Sequence, residues 1–406
     1  MKILISSIGS RGDVQPILAL AIQMVSLGHE ARLCVAPNFK EWVESCGIEC
    51  FPIGPDLKQL IGGTAQRQFV MPSAEQRRQM AAHSVRSQFP VLTEAARGCD
   101  LVVAAGALQI ATRSVTEQLG IPYVFTAYCP AVLPSSDHPP PKIGTHYAQS
   151  LPRDTNASLW AEEEQSWNDL FRDTLNEERG KLSLAPVESV PQHIFTQRPW
   201  LAADPTLGPA ASATGLQVVQ QGAWFLDDPR PLPAEVEEFL EAGEPPVYFG
   251  FGSMRAPPNA ARLFIESARE LGLRSILSQG WANLSPIDDG SDCLLIGDIG
   301  HDNLFPRVTA VVHHGGAGTT TAAARAGRGQ LVVPRLYDQY YWAHRVEQLG
   351  IGVAVPHLDD LTVGEMAAAL RECMRPESLE RARLLASQVE LQGAHSAAAR
   401  LLEEYG

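Results

Sequence analysis

Apolar and polar positions along this chain follow two periods that take turns. Lys2 to Ser7 carries a short apolar run, Ile3-Leu4-Ile5, that predicts a buried strand stopped at Gly9. From Pro16 to Leu27 the positions Ile17, Leu18, Leu20, Ala21, Met24 and Val25 recur at helical spacing, and Gly28 ends the run. Strand Ala31 to Ala36, helix Phe39 to Cys46 and strand Ile48 to Ile53 follow. A long polar helix near Glu75 to Arg97 comes next. Strand Leu101 to Ala105, helix Gln109 to Leu119 and strand Tyr123 to Tyr128 continue the series. Strands alternating with helices predict right-handed βαβ units around a parallel sheet.

The alternation then breaks. Cys129 to Tyr147 holds Pro130, Pro134, Pro139, Pro140 and Pro141 and must be a loop. A tryptophan-bearing, helix-permissive stretch runs from about Thr155 to Lys181. Prolines, glycines and small residues dominate Asp204 to Pro233, apart from a strand candidate at Leu216 to Trp224, and the interdomain linker is expected here. Beyond it the pattern restarts with strand Val247 to Phe251, helix Ala260 to Leu271, and strands Arg274 to Ser278, Cys293 to Ile296 and Val308 to His313. Strand Leu331 to Val333 and helix Tyr340 to Leu349 follow, and helical segments fill the remainder to Tyr405. The chain reads as two α/β halves of similar size.

Composition narrows the function. At 406 residues the chain exceeds one ordinary core, so two domains are expected. A hydrophobic share of 45% and a charged share of 19% suit a soluble globular protein. The net charge of −14 argues against nucleic acid as partner and against a polybasic membrane anchor. No apolar run reaches the ~20 residues that cross a bilayer, and Ile3 to Ile8 is too short for a secretory h-region. The seven cysteines are odd in number and scattered, without a second close pair to complete a zinc site. Buried free thiols in a reducing cytoplasm are the expectation. Arg67, Arg77, Arg78 and Arg86 read as a solvated helix face.

The candidate chemistry sits where strands turn into helices. Val311-Val312-His313-His314-Gly315-Gly316-Ala317-Gly318-Thr319-Thr320 runs from a β-branched strand through glycines into good helix formers. Such a turn gathers unpaired backbone N–H groups and the positive end of a helix dipole, which is an anion site. It is no Walker loop, because the Gly-Lys-Ser/Thr is missing. Adjacent histidines on a strand point to opposite faces, so one should enter the sheet core and His314 should face the loop as a donor. Gly9-Ser10-Arg11-Gly12-Asp13 is the first such turn. There Asp13 is either a helix cap or a carboxylate available for chemistry. Phe249-Gly250-Phe251-Gly252-Ser253 is its counterpart in the second half. Asp338-Gln339 suits a row of sugar hydroxyls or a cap. Trp281, in Ser278-Gln279-Gly280-Trp281, suits stacking on a base or half-burial in a core.

These residues carry a resemblance. Gly9 to Pro16 resembles the N-terminal signature of bacterial and sterol-type glycosyltransferases. His314 to Thr320, with Asp338-Gln339 about twenty residues on, resembles their donor signature. Cys129-Pro130 with Pro139-Pro140-Pro141, Gln221-Gly222-Ala223-Trp224 and Ser278 to Ala282 extend the likeness to the branch that glycosylates vancomycin-type aglycones. The resemblance implies the GT-B fold, two Rossmann-like domains facing across a cleft. Residues 1–215 would take the acceptor and residues 216–388 the nucleotide sugar. Residues 389–406 would form a helix that packs back on the first domain.

It further implies metal-independent, inverting transfer from a UDP- or dTDP-sugar to a hydroxyl, with no cofactor and no metal ligand set. Asp13 would be the base. Ser10, Ser253, His314, Gly318, Thr319 and Thr320 would steady the leaving diphosphate, with Arg11 assisting, and Gly12, Gly315, Gly316 and Ala317 would shape the donor turns. Asp338 and Gln339 would hold the sugar. Gly297-Asp298-Ile299-Gly300 lacks the tryptophan that plant members place on the base, so Ile299, Ser278 and Trp281 are expected to receive it. The implied state is a cytoplasmic monomer or weak dimer with no nucleic-acid partner and no stable membrane anchor. Alternatives are a sterol, lipid, macrolide or polyketide glycosyltransferase, a nucleotide-sugar epimerase of the same fold, and a binding protein that has lost catalysis. Neither half carries a dinucleotide fingerprint, which disfavours a dehydrogenase.

Overall fold

The computed structural model describes residues 1–58, 72–106, 108–141, 152–211, 215–228, 230–355, 358–390 and 392–406. Arg67 and the end of the proline-rich loop, residues 142–147, lie outside them. The apolar runs build two wholly parallel sheets. The first has strands β1 (Lys2–Ser7), β2 (Glu30–Val35), β3 (Glu49–Pro52), β4 (Leu101–Ala105), β5 (Tyr123–Ala127), β6 (Trp200–Leu201) and β7 (Val219–Gln220), in the order β3-β2-β1-β4-β5-β6-β7. The second has β8 (Val247–Gly250), β9 (Ser275–Ser278), β10 (Cys293–Ile296), β11 (Ala310–His313), β12 (Gly329–Val332) and β13 (Gly352–Ala354), in the order β10-β9-β8-β11-β12-β13. Both are Rossmann-like.

This order decides where a ligand can sit. Strand order reverses between β1 and β4, and again between β8 and β11. The loops leaving two such neighbours diverge to opposite faces and open a crevice at the carboxyl ends of the strands. Register brings Ser7 beside Ala105 in the first sheet and Gly250 beside His313 in the second. The turns at Gly9, Gly250 and His314 therefore all open at switch points.

Some elements differ from expectation. The first helix spans Arg11–Ser26, so it begins five residues before Pro16. Ser10 starts it, and Pro16 sits inside, where its missing N–H leaves the Gly12 carbonyl without an intrahelical donor. Strands β6 and β13 were not expected, since two or three residues beside a proline or glycine carry no period. Strand β7 belongs to the first sheet, so that sheet runs past the boundary expected at 215/216 and into the expected linker.

Two packing zones join the halves. Trp342 and Val346 of the second half share an apolar cluster with Pro130's neighbours Cys129 and Ala131, and with Leu207. A side chain at Gly208 would meet the Trp342 ring at 2.8 Å, and Arg345 donates to the Leu207 carbonyl at 2.7 Å. The last helix, Gly393–Tyr405, buries Ala394, Ala397, Ala398 and Leu401 in one cluster with Ile17 and Leu20 of the first helix. Those positions are one helical stripe. Arg198 clamps its far end with two hydrogen bonds to Glu404, each 2.7 Å. All seven cysteines are free, and Cys34, Cys50, Cys99, Cys129 and Cys373 are buried. Among the described residues no helix is long and apolar enough to cross a membrane.

Candidate active site

On the first domain's side of the cleft, Asp13 lies in the opening turn of helix Arg11–Ser26. The Ser10 backbone N–H donates to its Oδ2 at 2.7 Å and the Ser10 hydroxyl donates to the same oxygen at 3.2 Å. The capping alternative is thus correct in part: one oxygen closes the turn. The other faces the space beside Gly106, where a side chain would approach Oδ1 to 3.8 Å. Gly9 is needed for a sharper reason, since a Cβ there would lie 2.1 Å from Asp13 Oδ2. The Ser10 bonds favour the charged form, but burial outweighs them and lifts the Asp13 carboxyl to about 6. Ser10, expected to touch the diphosphate, spends its hydroxyl on this carboxylate.

The second domain supplies the facing turn. His313 is fully buried, accepts from the Gly315 N–H at Nδ1 (3.1 Å) and meets Gln330 Oε1 at Nε2 (2.9 Å). An accepting Nδ1 puts the proton on Nε2, so His313 is a neutral brace for the turn. Its neighbour His314 points the other way. The ring fits between two glycines: a side chain at Gly316 would sit 2.6 Å from Nε2, and one at Gly252 would sit 3.4 Å from Cε1. Burial depresses it to about 4, which leaves a neutral imidazole. Its Nδ1 is buried without a hydrogen-bond partner among the described residues, an unmet polar atom at the mouth of the turn.

Helix Ala317–Arg325 starts there from Gly316, with no acidic residue in its first turn. The N–H groups of Ala317, Gly318 and Thr319 precede the first intrahelical bond and are its free positive end. Thr320 corrects the expectation: its buried hydroxyl donates to the Gly316 carbonyl at 3.0 Å and braces the turn from behind. The loops after β8 and β9 close the same crevice. Trp281 N–H donates to the Gly252 carbonyl at 2.8 Å, beside Ser253 and just past Ser278.

Asp338 begins helix Gln339–Gln348 without a side-chain cap bond. Burial, reinforced by the negative charge of Asp13, raises it to about 7. Gln339 lends its side-chain carbonyl to the N–H groups of Arg335 (2.8 Å) and Leu336 (3.1 Å). This motif lies against the glycine turn, because a Cβ on Gly315 would be 3.0 Å from the Gln339 carbonyl oxygen.

Two expected donor residues are engaged across the cleft instead. Arg11 forms an ion pair with Asp298 at 2.8 Å and lies 4.6 Å over the Trp42 ring. Trp281 stacks on Phe39 of the first domain, with centroids 6.0 Å apart and planes at 13°. That covers one face of the indole, which is then closed to a base. Ile299, beside Asp298, is half-buried at the rim of the second domain's core, and Gly12 is exposed. Among the described residues no three His, Cys, Asp or Glu side chains come together in a group that could hold a metal ion.

A cavity of about 420 Å³ lies in the first domain next to this cleft. The sequence reading missed its walls, which include Trp160, Trp167, Phe195 and Tyr337. Trp160 Nε1–H donates to the His138 carbonyl and Trp167 Nε1–H to Glu163 Oε1, both at 2.9 Å, and Trp167 also packs on Phe171 and Phe195, so the rings are fixed in place. The helix that carries them, Arg153–Trp167, passes directly into a π-helical turn at Asn168–Arg172, a feature common beside functional sites. The tryptophans and prolines were visible in the sequence as a break in the alternation, but not as two walls of one space.

Comparison with known proteins agrees with this geometry. Residues 3–135 match the glycosyltransferase family 28 N-terminal domain, and residues 291–392 match the C-terminal domain of erythromycin biosynthesis protein CIII-like proteins. The chain is 42% identical to a vancomycin aglycone glucosyltransferase of Amycolatopsis orientalis, over 99% of this chain and 97% of that one. It is 40% identical to a dTDP-epi-vancosaminyltransferase of the same organism, over 94% and 92%. Its fold matches that of the calicheamicin glycosyltransferase CalG4 with a TM-score of 0.72, at 19% identity and over 100% and 98% of the two chains. The chain belongs to the GT-B glycosyltransferases, alongside the vancomycin-type enzymes.

Proposed function

We propose that this enzyme moves a sugar from a UDP- or dTDP-sugar to a hydroxyl of a glycopeptide-type aglycone, with inversion at the anomeric carbon. The observation that carries this is Asp13, a half-buried carboxylate at the first switch point whose charge reaches Asp338 beside the second domain's glycine turn. Asp13 accepts the proton of the acceptor hydroxyl while that oxygen bonds to the anomeric carbon. The carbon–oxygen bond to the diphosphate breaks, and the nucleoside diphosphate leaves with the electron pair. Its new charge is met by the N–H groups of Ala317, Gly318 and Thr319, by His314 and by the helix dipole. These donors are fixed beforehand, so this reading requires no metal ion. Asp338, with its carboxyl raised to about 7, carries a proton for part of the time at neutral pH and can both donate to and accept from sugar hydroxyls.

The test offers UDP- and dTDP-hexoses together with vancomycin-type aglycones and reads the product by mass. The wild type is expected to add one sugar. Asp13→Asn should slow turnover by about 100-fold or more while binding nucleotide as before. Undiminished turnover in Asp13→Asn would remove the base. A wild type that modifies a sterol or macrolide and no glycopeptide would move the acceptor to another class.

A further inference from the structure

Tyr337 holds an uncommon backbone. Its φ is +53°, in the left-handed region that an aromatic residue enters at a cost of about 1 kcal/mol or more. The strain is maintained by its neighbours, because the Gln339 side chain grips the N–H groups of Arg335 and Leu336 just ahead of it. What the strained turn achieves is a direction. The Tyr337 ring leaves the second domain and forms a wall of the first domain's cavity, whose other lining residues among those described all lie between Val132 and Leu216. The ring stands one residue from Asp338. Burial, and after it the negative charge of Asp338 with smaller contributions from Glu163 and Asp13, holds the phenol protonated.

We infer that Tyr337 is a specificity-determining residue for the acceptor, supplied by the donor-binding domain. This rests on the glycosyl-transfer reading above. The acceptor packs between the Trp160 and Trp167 side of the cavity and the Tyr337 ring, which sets its hydroxyl toward Asp13. Because the ring belongs to the other domain, the acceptor site is complete only when the cleft is closed. Nucleotide and acceptor therefore help each other to bind, and by linkage they do so reciprocally.

Two variants test this. Tyr337→Gly removes the ring and relieves the strained φ, so folding is preserved. Tyr337→Phe keeps the ring. Vancomycin aglycone is titrated against each protein by the fluorescence of the cavity tryptophans, with and without UDP or dTDP, and turnover is followed in parallel. In the wild type, nucleotide should tighten aglycone binding several-fold. Tyr337→Gly should raise the aglycone KM about tenfold, change kcat much less, and abolish the nucleotide effect on aglycone binding. Its melting temperature and nucleotide affinity should stay at the wild-type values, and Tyr337→Phe should restore the aglycone KM. If Tyr337→Gly binds and uses the aglycone as the wild type does, or loses nucleotide affinity and melting temperature together, the inference falls and the transferase reading stands. A wild type that neither binds nor modifies any aglycone overturns both.

Discussion

At the scale of single residues, Asp13 closes a helix turn with one carboxylate oxygen and is also the proposed base. Hydrogen bonds from Ser10 pull its pKa down and burial pushes it up. Burial wins, and the group titrates near 6. A base must be ionised, so turnover should rise as pH increases through about 6 and then level off, read as kcat/KM against pH. A rate independent of pH between 5 and 8 would exclude Asp13 as the group controlling it. Stability follows the opposite sign. A carboxyl raised from 3.8 to about 6 in the folded state contributes stability that is complete below pH 3.8 and lost as pH rises through 6. Asp338, raised to about 7, acts in the same direction. Asp13→Asn should therefore melt a few degrees higher than the wild type at pH 8, and this gain should vanish near pH 4.

At the scale of elements, each functional turn depends on glycine for a steric reason that can be named. Gly9 leaves room for Asp13, and Gly316 and Gly252 leave room for His314. Gly9→Ala would put a Cβ 2.1 Å from the Asp13 carboxylate and force it aside. It should cost transfer about as much as Asp13→Asn while nucleotide binding, measured by calorimetry, is unchanged. Retained transfer would mean that the turn can relax. The strand-to-helix setting of the His314 turn was legible from its β-branched run, its glycines and the small residues after it. The start of the first helix was not, because Pro16 resembles a first-turn proline while Ser10 is the residue that begins the helix. Thr320 was misread for a related reason: a threonine in a first turn looks the same in sequence whether its hydroxyl points outward or back to the Gly316 carbonyl.

At the scale of the whole molecule, the domains meet through an apolar zone around Trp342 and a more open clasp at the cleft. Trp342 is buried against Gly208, and losing such a side chain costs about 3–5 kcal/mol. The clasp is different in kind. In the Arg11–Asp298 pair the side chains are 38% and 59% exposed, so it adds less than about 1 kcal/mol, yet it ties the Asp13 turn of one domain to the Asp298 loop of the other. Asp298→Ala should leave the melting temperature nearly unchanged and broaden the interdomain distances seen by small-angle scattering of the nucleotide-free protein. An unchanged scattering profile would remove the pair from the control of domain geometry.

The sequence alone determined the α/β class, the two sheets and the turns at Gly9, Gly250 and His314, because strand and helix periods and glycine punctuation are local. It also carried the family, through motifs spread in order over both halves. Only the tertiary structure decided which side chains share a space. Trp281 lies against Phe39, Arg11 pairs with Asp298, and Tyr337 enters a cavity built by the other domain. Each of these contacts joins residues more than a hundred positions apart, and no local period records which faces two domains turn toward each other. The same holds for the strengths of Asp13 and Asp338 as acids. Their identities are written in the chain, but their pKa values come from burial in a cleft that exists only once both domains have folded.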